Sequence, residues 1–235
     1  MRLYKFLSID HAVDNLVKRR IKISEYDEMN DPFELLAVSV KPEILGRGMI
    51  DVIKSGGAVC LSATESEPLL WSHYAEKHQG CCIAFEVAEG EFLKQTIPVE
   101  KPDEIFVDIR PFIEIKRKAQ AEGVPIDLYS PELNPLVTEH SEYTNRVMLS
   151  KYIGWNYEKE FRLLLDLIDT QKEGSFYFAE FDDTIKPIEI LLGVRCTPEN
   201  EQKLRDAAWT YAPPLPVIKM SLATNEFKIL RRAER

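Results

Sequence analysis

Four short segments carry side chains able to do chemistry. Leu3-Tyr4-Lys5-Phe6 sets a phenol beside a cation at the edge of an apolar run. Asn30-Asp31-Pro32-Phe33-Glu34 gathers two acids and an amide about a proline. Trp71-Ser72-His73-Tyr74-Ala75-Glu76-Lys77-His78-Gln79-Gly80-Cys81-Cys82 mixes aromatics, two histidines and two thiols. Gly154-Trp155-Asn156-Tyr157-Glu158-Lys159-Glu160-Phe161-Arg162 places two carboxylates at the mouth of the apolar run Leu163-Leu164-Leu165. Carboxylates two residues apart on extended chain point to the same side. Burial beside Trp155 and Tyr157 can raise a carboxylate pKa or aim its oxygens.

Each segment also has a plainer reading. Lys5 fits an exposed position on an edge strand, and the Asn30 segment fits a turn, in which Asn and Asp satisfy local backbone groups and Pro sets the angle. Trp71 and Tyr74 fit a core, sharing one helix face with His78 while His73 points elsewhere. By spacing alone a solvated charged turn, with Arg162 pairing a glutamate, accounts for the last segment. His73 and His78 are five apart and cannot bind one metal from a regular helix face as i,i+4 histidines do. His78, Cys81 and Cys82 lack a matching distal ligand pair, so no structural zinc is expected. Phosphate-loop, dinucleotide-fingerprint, zinc-protease and nucleophile-elbow signatures are absent.

The elements that must position these groups can be read from periodicity and punctuation. Leu3–Leu7 reads as a strand, with Asp10 capping a helix over His11–Arg20. Ile21–Ser24 reads as a strand and Pro42–Lys54 as a helix stopped by Gly56-Gly57. Ala58–Ser62 and Cys81–Val87 read as buried strands around a helix over Pro68–Lys77. Glu89–Pro102 reads as irregular or weakly extended, Ile105–Ile109 as a strand and Glu114–Glu122 as a helix. A proline-punctuated loop, Tyr129–Pro135, precedes a helix over Leu136–Tyr152. Phe161–Leu167, Phe176–Phe181 and Ile188–Val194 read as strands. Thr197 then caps a helix with Pro198 at its first position, running to about Tyr211. Val217–Met220 and Phe227–Leu230 read as closing strands. Strands outnumber helices and several adjoin without a helix between. The expectation is an α+β fold: one domain, 1–235, with a mixed or antiparallel sheet flanked by helices.

The chain has 235 residues, 45% hydrophobic and 29% charged, ample for a packed core. A formal net charge of −9 opposes a phosphate backbone and argues against general nucleic-acid binding. The start shows no apolar leader, and the longest apolar stretch, near Ile188–Val194, is too short to span a bilayer. The four cysteines include no C-x-x-C pair, as expected of reduced thiols in a cytoplasmic protein with no membrane association.

Taken together, five motifs resemble an uncharacterised bacterial family, domain of unknown function twenty-nine seventy-one. They are Leu3-Tyr4-Lys5-Phe6, Asn30-Asp31-Pro32-Phe33-Glu34, Cys60-Leu61-Ser62, Trp71-Ser72-His73-Tyr74-Ala75 with His78 and Gly80, and Trp155 with Glu158-Lys159-Glu160-Phe161-Arg162. The chain also resembles ADP-ribosyltransferases in the order of three elements: a basic residue on a first strand (Lys5, or Tyr4 in its place), Ser62 on a later strand, and the Glu-x-Glu of Glu158 and Glu160. Lys at position five and Ser-Ala-Thr after the strand depart from that pattern. This second resemblance implies an ADP-ribosyltransferase-like fold and NAD as substrate. It implies Glu160 as the group stabilising an oxocarbenium-like transition state, as in glycoside cleavage. Ser62 would support Glu160, and Glu158 would orient the acceptor. Tyr4 and Lys5 would hold ribose or phosphate, and Trp71 or Tyr74 would stack on a base. His73 and His78 would line the acceptor side, and Asn30 joins the cofactor-binding set. The activity implied is NAD-dependent ADP-ribosyl transfer or NAD glycohydrolysis, in a toxin or phage-defence setting, with a small molecule or protein as acceptor. Two other readings stand beside it. One is a non-catalytic nucleotide- or ligand-binding module. The other is a metal-assisted hydrolase built on His73, His78, Cys81, Glu158 and Glu160.

Overall fold

The computed structural model describes residues 1–29, 31–34, 54–105, 114, 117–118, 121–123 and 145–232. Asn30, the expected helix Pro42–Lys54 up to its last residue, nearly all of the expected strand Ile105–Ile109, and the loop Tyr129–Pro135 lie outside them. The fold is α+β. Its residues fall into two compact units, each drawn from separate stretches of chain: Met1–Ser24, Ala58–Gln95 and Tyr157–Arg235 form the first, and Glu25–Gly57 and Thr96–Asn156 the second.

The first unit is built on a large sheet. Its strands are β1 (Arg2–Leu7), β2 (Arg20–Glu25), β3 (Gly56–Ser62), β4 (Cys81–Val87), β5 (Leu93–Gln95), β8 (Glu160–Asp166), β9 (Gln171–Glu173), β10 (Phe176–Glu180), β11 (Ile185–Leu192), β12 (Val217–Leu222) and β13 (Ile229–Arg231). The order is β13-β12-β11-β4-β1-β3-β2-β10-β9, with β8 pairing both β3 and β5. Antiparallel pairing joins β1 to β4 and β4 to β11, whereas β11 and β12 run parallel.

Helices cover both faces of the central strands. On one face α1 (Ile9–Lys18) and α3 (Pro198–Trp209) bring Ala12, Leu16, Leu204, Ala207 and Ala208 against Leu3, Ile83 and Phe85. On the other, α2 (Pro68–Tyr74) brings Leu70 and Trp71 against Tyr4, Phe6, Cys82 and Ala84. A strand covered on both faces reads as a continuous apolar run rather than an alternating one. That is why Cys81-Cys82-Ile83-Ala84-Phe85 is buried throughout.

Local chemistry sets the helix ends. Thr197 caps α3 by accepting from the Asn200 N–H at 3.3 Å, and Pro198 occupies the first turn, as expected. At α1 the cap is Ser8, not Asp10. Its hydroxyl accepts from His11 N, and Asp10 lies in the first turn, where its charge suits the helix dipole. The helix after β3 stops at Tyr74, short of the expected Lys77, because Glu76, Lys77 and His78 all adopt left-handed backbone with φ of 48°, 55° and 70°.

The second unit contains a two-stranded parallel sheet of β6 (Ile97–Val99) and β7 (Ser150–Tyr152). Residues 145–149 are helical, as expected, but Ser150–Tyr152 departs from the expected helix to pair with β6. Short 3₁₀ turns span Tyr26–Glu28 and Pro102–Ile105.

Candidate functional site

Three elements distant in sequence meet at Glu158 in the first unit. Tyr74, the last residue of α2, donates its phenol to Glu158 Oε1 at 2.7 Å across 84 positions. Ser62, at the end of β3, donates to the Glu158 carbonyl at 2.6 Å across 96 positions and accepts from Thr64 N at 3.0 Å. The Ala63 N–H donates to the Lys159 carbonyl at 3.0 Å. Lys159 itself is left-handed, with φ 45°. A bulky residue in that conformation costs about 1–2 kcal/mol and persists where its surroundings over-determine it. Here the strap between β3 and residues 158–159 supplies that constraint.

Strand alternation then places the second carboxylate. Phe161, Leu163 and Leu165 pack on the α1/α3 face, so Glu160 and Arg162 occupy the opposite one. Arg162 donates from Nε to Glu160 Oε1 at 2.7 Å, and the side chains are 1% and 5% exposed. The charged-turn reading foresaw this pairing but placed it in solvent; the pair is buried. Glu158 and Glu160 are both 5% exposed. The lone left-handed residue between them lets both carboxylates turn inward.

The remaining candidates divide between places. Tyr4 pairs with Ser62 across β1 and β3 and belongs to the Trp71 cluster. Burial, then the Glu65 carboxylate beside it, pushes its phenol above the usual range. Lys5 points to the other face and donates to the Cys60 carbonyl at 2.9 Å, so Tyr4 and Lys5 do not share one wall. Trp71 is fully buried, edge-on to Phe6 at 5.2 Å, with its indole N–H donating to Glu65 O at 2.6 Å. It is a core residue, and Tyr74 is the half-buried aromatic beside the carboxylate. His73 is exposed, 6.2 Å from the Tyr74 ring. His78 leaves the helix face it was expected to share, and burial, then nearby Arg195, holds its imidazole below the usual range.

Among the described residues no group of three or more His, Cys, Asp or Glu side chains could hold a metal. His73, His78, Cys81, Glu158 and Glu160 are not gathered into such a group. All four cysteines are free thiols. No helix among the described residues is long and apolar enough to cross a membrane.

The Asn30 and Trp155 motifs meet within the second unit. The Trp155 indole donates to Asp31 Oδ2 at 2.8 Å, while Asp31 Oδ1 accepts from Phe33 N at 2.9 Å. Lys151 lies 3.6 Å from the buried Glu34 carboxylate and 5.7 Å from the Trp155 ring. Sequence reading missed the Tyr74–Glu158 contact and the left-handed run at 76–78. Only Gly80, which closes that run, signalled a backbone constraint.

No curated protein and no solved structure matches the chain. Tyr4, Lys5 and Ser62 fall outside the span that a family model covers, whereas Trp71, Tyr74, His78, both glutamates and Arg162 fall within it. Residues 70–163 match the family described as protein of unknown function (DUF2971), the family that the five motifs resemble.

Proposed function

We propose that the Glu158 cluster is an NAD-cleaving centre that releases nicotinamide and passes ADP-ribose to water or an acceptor, in a toxin or phage-defence setting. The observation that carries this reading is the Glu158 carboxylate on the Tyr74 phenol, held from below by Ser62. A positioned carboxylate stabilises an oxocarbenium-like ribose, and a half-buried phenol beside it provides a stacking surface for nicotinamide. Glu158 takes the role facing the ribose, because Tyr74 is on it. Glu160 takes the supporting role, because Arg162 holds it. The resemblance to ADP-ribosyltransferases instead implied Glu160 for the first role and Glu158 for orienting the acceptor.

The test is nicotinamide release from NAD by wild type and by Glu158→Gln, with thermal melts alongside. Glu158→Gln is expected to cut release about a hundredfold, the scale of one lost electrostatic contact to a transition state. Wild-type release no faster than buffer, with and without added acceptor protein, overturns the reading. A non-catalytic nucleotide-binding module is the second reading. It is favoured by the full engagement of the Ser62 hydroxyl with backbone groups. Calorimetric NAD binding without turnover would put that reading first.

A further inference from the structure

We infer that the second unit holds a separate binding site for a small, neutral, ring-bearing molecule with one hydrogen-bonding group. The site is a cavity of about 250 Å³ whose walls include Phe33, Val99, Pro102, Ile105, Ser150 and Tyr152. Small-molecule sites are mostly apolar, with a few placed polar groups that fix orientation. This cavity fits that description, and its volume, below the roughly 300–1,000 Å³ typical of drug-sized ligands, suits one or two rings.

The polar group is Ser150. It is 3% exposed, and its Oγ has no hydrogen-bond partner among the described residues. Leaving a buried hydroxyl unsatisfied costs about 1–3 kcal/mol, a cost that a bound ligand group would remove. Ser150 is one of the residues that line the cavity. In the parallel β6–β7 pair Ile97 faces Ser150 and Val99 faces Tyr152. Ser150 therefore shares a sheet face with Val99 and Tyr152. Lys151 also lines the cavity, and its ammonium is held 3.6 Å from the Glu34 carboxylate and 5.7 Å from the Trp155 ring, which ties the strand to the motif that runs through Asp31 and Glu34.

Two further features define the ligand. Phe33 and Tyr152 are 56% and 52% exposed, large rings left open at the mouth where a planar molecule can lie against them. Glu100 and Lys101, both exposed on the wall, carry opposite charges, and the third charged wall residue, Lys151, is paired with Glu34, so the entrance favours neither anion nor cation. Glu104 Oε1 accepts from the backbone N–H of both, at 3.0 and 2.7 Å, which holds this wall in place.

Indole, neutral and bicyclic with a single N–H, is the probe, and 1-methylindole, which lacks the donor, is its control. Saturation-transfer NMR and calorimetry on the full chain are expected to show saturable indole binding, about tenfold tighter than 1-methylindole. Ser150→Ala is expected to weaken indole about tenfold, to the level of 1-methylindole, the scale of one hydrogen bond. Its thermal melt should equal or exceed that of wild type, because an unsatisfied hydroxyl has gone. Tyr152→Ala, at a half-exposed position, should weaken both probes. No saturable binding up to the solubility limit overturns the proposal. So does indole binding unchanged in both variants, which places the probe elsewhere. A Ser150→Ala protein that melts well below wild type also overturns it, by assigning the hydroxyl to structure.

Discussion

Arg162 is among the largest fully buried side chains, and its guanidinium Nε sits 2.7 Å from Glu160. Breaking such a pair from one side leaves a desolvated charge and typically costs about 3–5 kcal/mol. Glu160→Gln is therefore expected to lower the melting temperature strongly, contrary to the near-silent effect on folding that a strand-mouth carboxylate suggests. Replacing both partners, as Glu160→Met with Arg162→Met, should recover most of that loss, since a hydrophobic pair of similar volume is often neutral or stabilising. Chemical denaturation of the single and double variants checks this. A single variant as stable as wild type would show that the pair contributes little. Tyr74→Phe removes one neutral donor to a buried carboxylate and should cost about 1.5–3 kcal/mol, the range for hydrogen bonds to charged groups. The same measurement reads it.

At the scale of elements, the junction between α2 and β4 is the most constrained backbone in the first unit. Three successive non-glycine residues, Glu76 to His78, are left-handed. The turn is closed by Gly80 N–H donating to Ala75 O at 2.9 Å and by Arg195 N–H donating to His78 O at 2.9 Å. A Cβ on Gly193 would lie 2.2 Å from the His78 carbonyl oxygen, and one on Gly80 would lie 2.3 Å from that of Leu7. Those clashes are with backbone, which cannot swing away. Gly193→Ala is expected to destabilise by more than about 2 kcal/mol, in the range of strained-backbone changes. Lys77→Gly should do the opposite. Lys77 is exposed at φ 55°, and relief of left-handed strain worth about 1–2 kcal/mol outweighs the added entropy of the unfolded glycine. Paired thermal melts separate these outcomes, and equal melts for both variants would remove the strain argument.

For the whole molecule, acid is the natural challenge. The folded His78 imidazole lies below its usual range, so as pH falls below about 6.5 the unfolded chain takes up a proton that the folded chain refuses. Stability is complete above that pH and declines beneath it. Asp14 adds a second step. Burial raises its carboxyl, but hydrogen bonds from Lys18 and Arg20 outweigh that and leave it lowered, so its contribution is lost as pH falls through the folded value, below about 4. Melts should show a shallow decline from pH 7.5 to 5.5 and a steeper one in strong acid. His78→Asn keeps a residue tolerant of left-handed backbone and should flatten the first step only. A thiol titration gives an independent view of packing. Burial pushes the Cys81, Cys82 and Cys196 thiols up, which leaves half-buried Cys60 as the group expected to react in the native protein before denaturation exposes the rest.

How much of this was legible in the sequence follows from the range of the interactions involved. Short-range signals carried through. The run Cys81–Val87 became a strand over those residues, because its apolar stretch Cys81 to Phe85 fits a strand covered on both faces. Thr197 and Pro198 started a helix, because capping is settled within one turn. Order along the chain also sufficed to point to the family whose model residues 70–163 match. What failed had a distant cause. Ser150–Tyr152 carries a helical prelude, but pairing with β6, more than fifty positions earlier, makes it a strand. Glu158 and Glu160 share a spacing and a charge, and nothing local distinguishes them. Tertiary structure gives one to a phenol 84 positions away and the other to its own strand neighbour, because a buried carboxylate must take whatever donor the fold brings within reach.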